Sequence, residues 1–324
     1  MRGSKTQRAT CVLNLETIGT CRPQSNGRHT LYLISTSQIR SKRKERNSDV
    51  TTEELLEQIR TKTIVVFGTG FVAERFWQAL QRHHLNERIS AFLVSKRKEE
   101  KQFFHGCPVL EPAEIKKGKE LLVCLAVHET VLPEVRNTIS PELAERSVWI
   151  YPNLWELLFG APVERNSLIP REILLAKQNP DYNWISVRYM AIRDYLEGST
   201  QFPHSADLYC HAISLHCGMT TAKRRLKALE QLAESIRDRG FDREMPILID
   251  TSGRILDGLH RFASACYFGM VEIPCTVLPE SEDYDRMLNE KNRIPDRVLH
   301  KAGFSEDDLA LIRQAKQEIL NGRR

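Results

Sequence analysis

Residue types that handle phosphates and protons lie close together in the run Asp257-Gly258-Leu259-His260-Arg261. An arginine guanidinium is planar and permanently charged, so it donates well to phosphate oxygens. A histidine exchanges protons near neutral pH, and an aspartate can act as a base or hold a metal ion. The sequence therefore predicts a site for phosphate chemistry. Asp257, His260 and Arg261 are its catalytic candidates, and Gly258, His260 and Arg261 are its nucleotide-binding candidates.

The elements that carry this run are predicted from the residues around it. Residues 246–250 and 254–256 are short apolar runs separated by Thr251-Ser252-Gly253, which indicates two strands joined by a tight turn. A helix is predicted from Gly258 to about Gly269, followed by a strand over 273–278. The first turn of a helix has free backbone N–H groups, so a phosphate binds readily there.

The run DGLHRFASA resembles the signature of the ParB/sulfiredoxin-like superfamily, in which Gly-x-x-Arg opens a helix after a strand. The resemblance covers 226–278 and is strongest to the Asp-Gly-His-His-Arg pattern of free serine kinases. Leu259 stands where that pattern has its first His, and where sulfiredoxins have their nucleophilic Cys, so sulfiredoxin chemistry is excluded. Partition-type ParB proteins bind CTP with a related motif and add a helix-turn-helix, of which the sequence shows no convincing example.

The resemblance implies a small-molecule kinase that uses ATP or ADP, with CTP as an alternative nucleotide and with Mg²⁺. In such a kinase Asp257 is catalytic and the residues after it meet nucleotide phosphates. A Glu before the strands is also catalytic in the serine kinases, which makes Glu230 and Glu234 candidates. The alternative is a nucleotide-binding regulatory module with a protein or DNA partner and no small-molecule catalysis; DNA is not expected. A purely structural motif, with Asp257 as a helix cap and Arg261 as a solvated residue, stays open.

A second unit begins with Gly68-x-Gly70-x-x-Ala73 after a buried apolar strand, the arrangement of a Rossmann βα turn. Strands are predicted at 64–67, 89–94, 121–126 and 148–151, with helical stretches between them, so the sheet should be parallel. Gly68 and Gly70 are candidates for holding a phosphate of a nucleotide or nucleotide sugar. The second strand ends in Ser95-Lys96-Arg97-Lys98 where an NAD site has an acidic residue, so NAD is not expected, and Arg97 suits a 2′-phosphate or a basic loop.

The segment 103–115 resembles the Rossmann-like domains attached to sugar acyltransferases and other surface-polysaccharide enzymes. This resemblance implies a role in polysaccharide biosynthesis, and a Rossmann-like unit that carries the reaction itself is a third hypothesis.

The stretch between the two units is rich in aromatic residues and histidine. Apolar spacing predicts a helix over 184–198. His204, His211 and His216 are irregularly spaced, so they favour core or substrate-pocket roles over zinc. The further contact candidates of this stretch are Arg188, Tyr189, Asp207 and Tyr209.

The length, the cysteines and the alternating strands and helices together predict a two-domain cytoplasmic α/β protein. It has 324 residues, 41% of them hydrophobic, and the scattered cysteines fit a reducing compartment. The predicted organisation is a disordered basic extension (1–50), a Rossmann-like domain (51–160), a smaller α+β ParB/sulfiredoxin-like domain with a helical lead-in (161–280) and a helical tail (281–324). The net charge of +5 reflects the basic extension, and a translation start near Val50 or a targeting peptide would explain that extension. No membrane association is expected, and a homodimer stays open.

Overall fold

The computed structural model describes residues 50–97, 102–115, 120–179, 181, 183–198, 202, 204–280 and 294–322. The predicted basic extension lies outside these residues except for Val50, and so does the first part of the predicted C-terminal tail. No helix in the described part of the chain is long and apolar enough to cross a bilayer.

The first half of the described chain is a mostly parallel sheet. Its strands, among the described residues, are β1 (Thr63–Phe67), β2 (Ile89–Leu93), β3 (Phe103–Phe104), β4 (Cys107–Leu110), β5 (Leu121–Leu125) and β6 (Ser147–Trp149). They are ordered β3-β4-β2-β1-β5-β6, and the β3–β4 pair is antiparallel. The helices are α1 (Thr52–Thr61), α2 (Phe71–Arg82), α3 (Leu132–Thr138), α4 (Pro141–Ala144) and α5 (Leu154–Phe159).

Both faces of this sheet are buried, which explains why its strands are continuous apolar runs. In β1, Ile64 and Val66 pack into one hydrophobic cluster with α1, α2 and α5. Val65 and Phe67 point to the opposite face and pack with α3. Side chains alternate between the faces of a strand, so each face receives every second residue.

The second half is a smaller sheet of β7 (Glu164–Pro170), β8 (Ile247–Asp250), β9 (Ile255–Asp257) and β10 (Glu272–Leu278), ordered β7-β10-β8-β9. Strands β8 and β10 are parallel, and the other two pairs are antiparallel. Its helices are α6 (Arg171–Lys177), α7 (Trp184–Glu197), α8 (Ser205–Cys217), α9 (Met219–Arg239), α10 (Leu259–Tyr267), α11 (Asp296–Lys301) and α12 (Glu306–Asn321). The predicted fold class, a Rossmann-like parallel sheet followed by a smaller α+β region, is confirmed.

The two sheets meet through one hydrophobic cluster. Leu256 of β9 and Leu278 of β10 belong to the cluster that also holds α5 and the strands of the first sheet. The end of β9 is therefore close to the first sheet. The division into domains at residue 160 stays a prediction, and this contact places the predicted motif where both halves can contribute to it.

Candidate functional site

Asp257 is held in a defined orientation at the end of β9. Its Oδ1 accepts a hydrogen bond from the Gly258 backbone N–H at 2.8 Å and another from the Tyr151 hydroxyl at 3.2 Å. Its Oδ2 lies 3.8 Å from Nη2 of Arg261, and the Asp257 side chain is 27% exposed. One carboxylate oxygen is thus fixed by two hydrogen bonds, while the other lies near a positive charge, and the side chain as a whole is partly exposed.

Gly258 begins α10 in a conformation that other residues rarely adopt. Its φ is +97°, in the left-handed region, and a Cβ at this position would lie 3.1 Å from Nη2 of Arg261. Gly258 is the N-cap of α10, and no side chain caps the helix within the described residues. Asp257 bonds to the Gly258 amide instead of the amides of the first helical turn. The structure therefore does not support a role for Asp257 as a simple helix cap.

Arg261 is anchored to the backbone of the preceding loop. Its Nη1 donates to the carbonyl oxygens of Met245 at 2.6 Å and Pro246 at 2.7 Å, directly before β8. The side chain is 17% exposed, so Arg261 is not a solvated surface residue. It ties the first turn of α10 to the start of β8. Contact with a phosphate stays a prediction for its other N–H groups.

His260 continues the site toward two other helices. Its Nε2 is 2.9 Å from the hydroxyl of Tyr209 on α8. The guanidinium of Arg188 on α7 lies 5.9 Å from the centre of the Tyr209 ring and 5.0 Å from that of Trp184. Two of the contact candidates, Arg188 and Tyr209, therefore join the predicted motif.

The charges around His260 are predominantly positive. Burial lowers the pKa of His260 well below its ordinary value, and the nearby charges of Arg188, Arg225, His128 and Arg261 lower it further. Burial also lowers the pKa of Arg188 to about 10, and Arg225 adds to that effect. A neutral imidazole among arginines indicates a positive potential at this position, which favours an anionic ligand.

His128 and Tyr151 bring the first sheet into the site. They follow β5 and β6 respectively, and their rings are 4.9 Å apart. The Thr130 backbone N–H donates to Nδ1 of His128 at 3.3 Å, so the neutral ring carries its proton on Nε2. Burial lowers the pKa of His128 and raises that of Tyr151 well above its ordinary value, so the Tyr151 phenol stays protonated and can donate to Asp257. Ligands of open α/β sheets commonly bind at such carboxyl ends of parallel strands.

Sequence reasoning missed His128 and Tyr151. The position of His128 directly after a predicted strand was the available signal, because residues after parallel strands collect at one edge of a sheet. Tyr151 was placed inside a predicted strand, whereas β6 ends at Trp149. The sequence shows Arg225 only as part of the positive run Lys223-Arg224-Arg225, whereas in the structure its Nε is buried.

The two glycines of the Rossmann-like turn have different surroundings. A Cβ on Gly68 would lie 2.7 Å from the Ala126 carbonyl oxygen, and its φ is +120°, so close approach of the chain ends after β1 and β5 requires glycine here. The Gly68 N–H donates to the Leu93 carbonyl. Gly70 is the N-cap of α2 and has open space around it. Phosphate binding at these glycines stays a prediction.

Arg97, the candidate for a 2′-phosphate, pairs with Glu114 at 3.3 Å and donates to the Val109 carbonyl. These contacts hold Arg97 against neighbouring residues of its own sheet edge, as expected for a basic residue of a surface loop.

The three histidines of the central stretch lie in separate environments. His211 stacks on Phe304 with 4.6 Å between ring centres, His216 lies 4.8 Å from Trp184, and His204 is exposed at the start of α8. The described residues contain no group of three or more His, Cys, Asp or Glu side chains that could hold a metal ion.

The other candidates lie outside the motif's contacts. Tyr189 bonds to Glu318, Asp207 is exposed, and Glu234 accepts a hydrogen bond from Tyr195. Burial raises the pKa of Glu230, and Glu234 raises it further. Neither glutamate contacts Asp257 or His260 among the described residues.

No protein-family model matches the chain, and no curated protein or solved structure matches it. The superfamily resemblance therefore stays a prediction that depends on the motif and its surroundings.

Proposed function

We propose that this chain is a nucleotide-dependent phosphotransferase acting on a small molecule, a sugar or amino-acid derivative of surface-polysaccharide metabolism. One observation carries the proposal. The oriented carboxylate of Asp257 lies at the start of α10, three residues before His260, which is surrounded by the positive charges of Arg188 and Arg225. Phosphoryl transfer needs such positioning and charge stabilisation and little covalent chemistry from the protein.

Asp257 orients the acceptor hydroxyl and takes its proton through Oδ2, while Tyr151 and Gly258 hold Oδ1. His260 is neutral and, with Tyr209, supplies hydrogen bonds to phosphate oxygens. Arg261 keeps the loop before β8 against α10, so it positions Gly258. The backbone N–H groups at the start of α10 receive nucleotide phosphates, for ATP or ADP first and CTP second.

The donor set fits a magnesium ion held mainly by phosphate oxygens. Mg²⁺ usually takes one or two carboxylates and keeps several waters, and the Oδ2 atom of Asp257 accepts no hydrogen bond from the described residues, with Arg261 at 3.8 Å. When bound, Mg²⁺ would neutralise charge on the phosphates.

The described cysteines are all free thiols, which supports a cytoplasmic location because disulfides are rare in reducing compartments.

The test is turnover of the purified full chain with ATP, ADP and CTP against amino acids and sugars, with phosphorylated products detected by ³¹P NMR. Asp257→Asn keeps the shape of the side chain and should lower turnover at least about 100-fold, because it removes the base. Its melting temperature should stay near that of the wild type. Asp207→Asn, on the exposed part of α8, is the matched control and should keep full turnover. Wild-type turnover in Asp257→Asn would refute the assignment.

A nucleotide-gated binding module is the second candidate. Leu259 favours the binding module. In the place of the first His of the kinase pattern, the chain has this partly buried leucine, which packs on the hydrophobic core of the smaller sheet and its helices. Tight CTP or ATP binding with no product from any acceptor would select this function.

A further inference from the structure

We propose that Arg188 and Arg225 form a subsite for an anionic group of the phosphate acceptor, so that the acceptor carries a carboxylate or phosphate besides its hydroxyl. This inference rests on the proposed function and adds a substrate class to it.

Arg188 is a buried cation without a carboxylate partner. It is 5% exposed, and no ion pair joins it to an acidic side chain of the described residues. Nη1 donates to the Trp184 carbonyl at 2.8 Å, and Nε is buried without a hydrogen-bond partner. Contact with the Trp184 and Tyr209 rings offsets only part of the cost of burying a charge. A ligand anion would complete the pairing.

Arg225 adds a second positive charge in the same place. Its Nε is also buried without a hydrogen-bond partner in the described part of the chain. Its neighbour Arg224 pairs with Glu134 at 2.9 Å at the surface. The two adjacent arginines of α9 thus differ: Arg224 has an acidic partner at the surface, and Arg225 has a buried Nε without a hydrogen-bond partner in the described part of the chain.

The positive charge of Arg225 acts on both ends of the site. Burial raises the pKa of Tyr151, which bonds to Asp257, and that of Tyr209, which bonds to His260, and the positive charge of Arg225 opposes both shifts. The hydroxyl of the acceptor is therefore assigned to Asp257 and its anionic group to Arg188 and Arg225. The nucleotide phosphates are assigned to the start of α10, next to Gly258.

Sodium sulfate is the first probe, compared with sodium chloride at equal ionic strength in thermal unfolding of the full chain. Sulfate should raise the wild-type melting temperature, because a ligand that binds only the folded state stabilises it. Arg188→Met should weaken sulfate binding at least tenfold, and Arg225→Met should weaken it as well. The control Arg224→Met should keep the wild-type response.

Without sulfate, Arg188→Met should melt at or above the wild-type temperature, because methionine removes a buried charge that lacks an acidic partner. A melting temperature several degrees lower would show that Arg188 is structural and would overturn the proposal. An unchanged sulfate response in both methionine variants would overturn it too.

Titrating ADP into sulfate-saturated protein separates the acceptor from the nucleotide. Additive shifts of the melting temperature would support an acceptor subsite, whereas competition would assign the arginines to nucleotide phosphates and overturn the inference. In turnover assays Arg188→Met should raise KM for the acceptor and leave KM for the nucleotide unchanged. If no nucleotide is turned over but sulfate still protects through Arg188, the phosphotransferase function fails and the anion subsite stands. A sulfate response in Asp257→Asn would confirm that the two are independent.

Discussion

Arg261→Ala should destabilise the fold, although the sequence motif presents this arginine as a catalytic residue. In the structure its Nη1 donates to two carbonyl oxygens, of Met245 at 2.6 Å and Pro246 at 2.7 Å. These bonds fasten α10 to the start of β8, which is a central strand of the smaller sheet. Truncation removes the donor and leaves both carbonyl groups without it.

The size of the effect follows from the number of bonds and their charge. A hydrogen bond from a charged donor contributes about 1.5–3 kcal/mol. Two bonds share one nitrogen and the side chain is 17% exposed, so the loss should be about 2–4 kcal/mol rather than the full sum. For a chain of this size that corresponds to a melting temperature lower by about 5–12 °C.

Thermal and urea unfolding of Arg261→Ala, Arg261→Lys and the exposed control Arg243→Ala measure this directly. Lysine still donates to the carbonyls without the guanidinium plane, so it should recover about half of the loss. The control lies on the same loop and should stay within about 0.5 kcal/mol of the wild type. If Arg261→Ala melts like the wild type and yet loses nucleotide affinity, the guanidinium acts on the ligand and the structural account is wrong.

Two further predictions concern the glycines of the first sheet and the buried histidines. Gly68→Ala should destabilise by at least about 2 kcal/mol in urea unfolding, since φ is +120° and its Cβ would lie 2.7 Å from the Ala126 carbonyl oxygen. Gly70→Ala, with open space around it, should cost less than about 1 kcal/mol, and equal losses would contradict this reading. The pKa values of His260 and His128 are lowered in the folded state, so the unfolded chain binds more protons, and ligand-free stability should fall as the pH drops below about 6.5. A bound sulfate favours the charged imidazoles and should reduce this loss of stability at low pH. If replacing both histidines with glutamine left the dependence of stability on pH unchanged, the histidines would not be its cause.

The strands were predictable because burial on both faces leaves a simple signal. Predicted strands over 64–67 and 121–126 differ from β1 and β5 by one residue at an end. The predicted second strand of the motif hairpin began at Arg254, whereas β9 is Ile255–Asp257. Arg254 instead bonds to the buried Asp250 across the turn, which a sequence pattern does not show.

Helix α8 was not predicted because its burial is not restricted to one stripe. Its polar His and Ser residues alternate with apolar ones without a clear helical period, and Tyr209, Ala212 and Ile213 are nevertheless fully buried. Amphipathic periodicity indicates helices with one wet face. A helix that packs against α7 and α9 along different sides gives a weaker pattern, so Tyr209 is a contact candidate in the sequence without a predicted helix to carry it.

The sequence motif predicts the part of the site at the start of α10, but not the part that other elements contribute. Asp257, Gly258 and His260 are neighbours in sequence, whereas Tyr151, His128, Arg188 and Arg225 come from distant elements. Tertiary contacts of this kind leave no spacing in a single sequence.

This composite arrangement changes how the competing hypotheses relate to each other. The Tyr151 hydroxyl donates to Asp257 across 106 positions of the chain, and Leu256 and Leu278 pack into the core of the first sheet. The orientation of Asp257 therefore depends on the first sheet as well as on its own strand. Each half of the chain lacks groups that the other half supplies. We therefore expect a single site built from both halves, and not a reaction carried by the first sheet alone or by the motif alone. Residues 50–160 alone would keep His128 and Tyr151 but lose the carboxylate and the arginines. When the two halves are produced separately and mixed, we therefore expect phosphotransferase activity only if they reassociate.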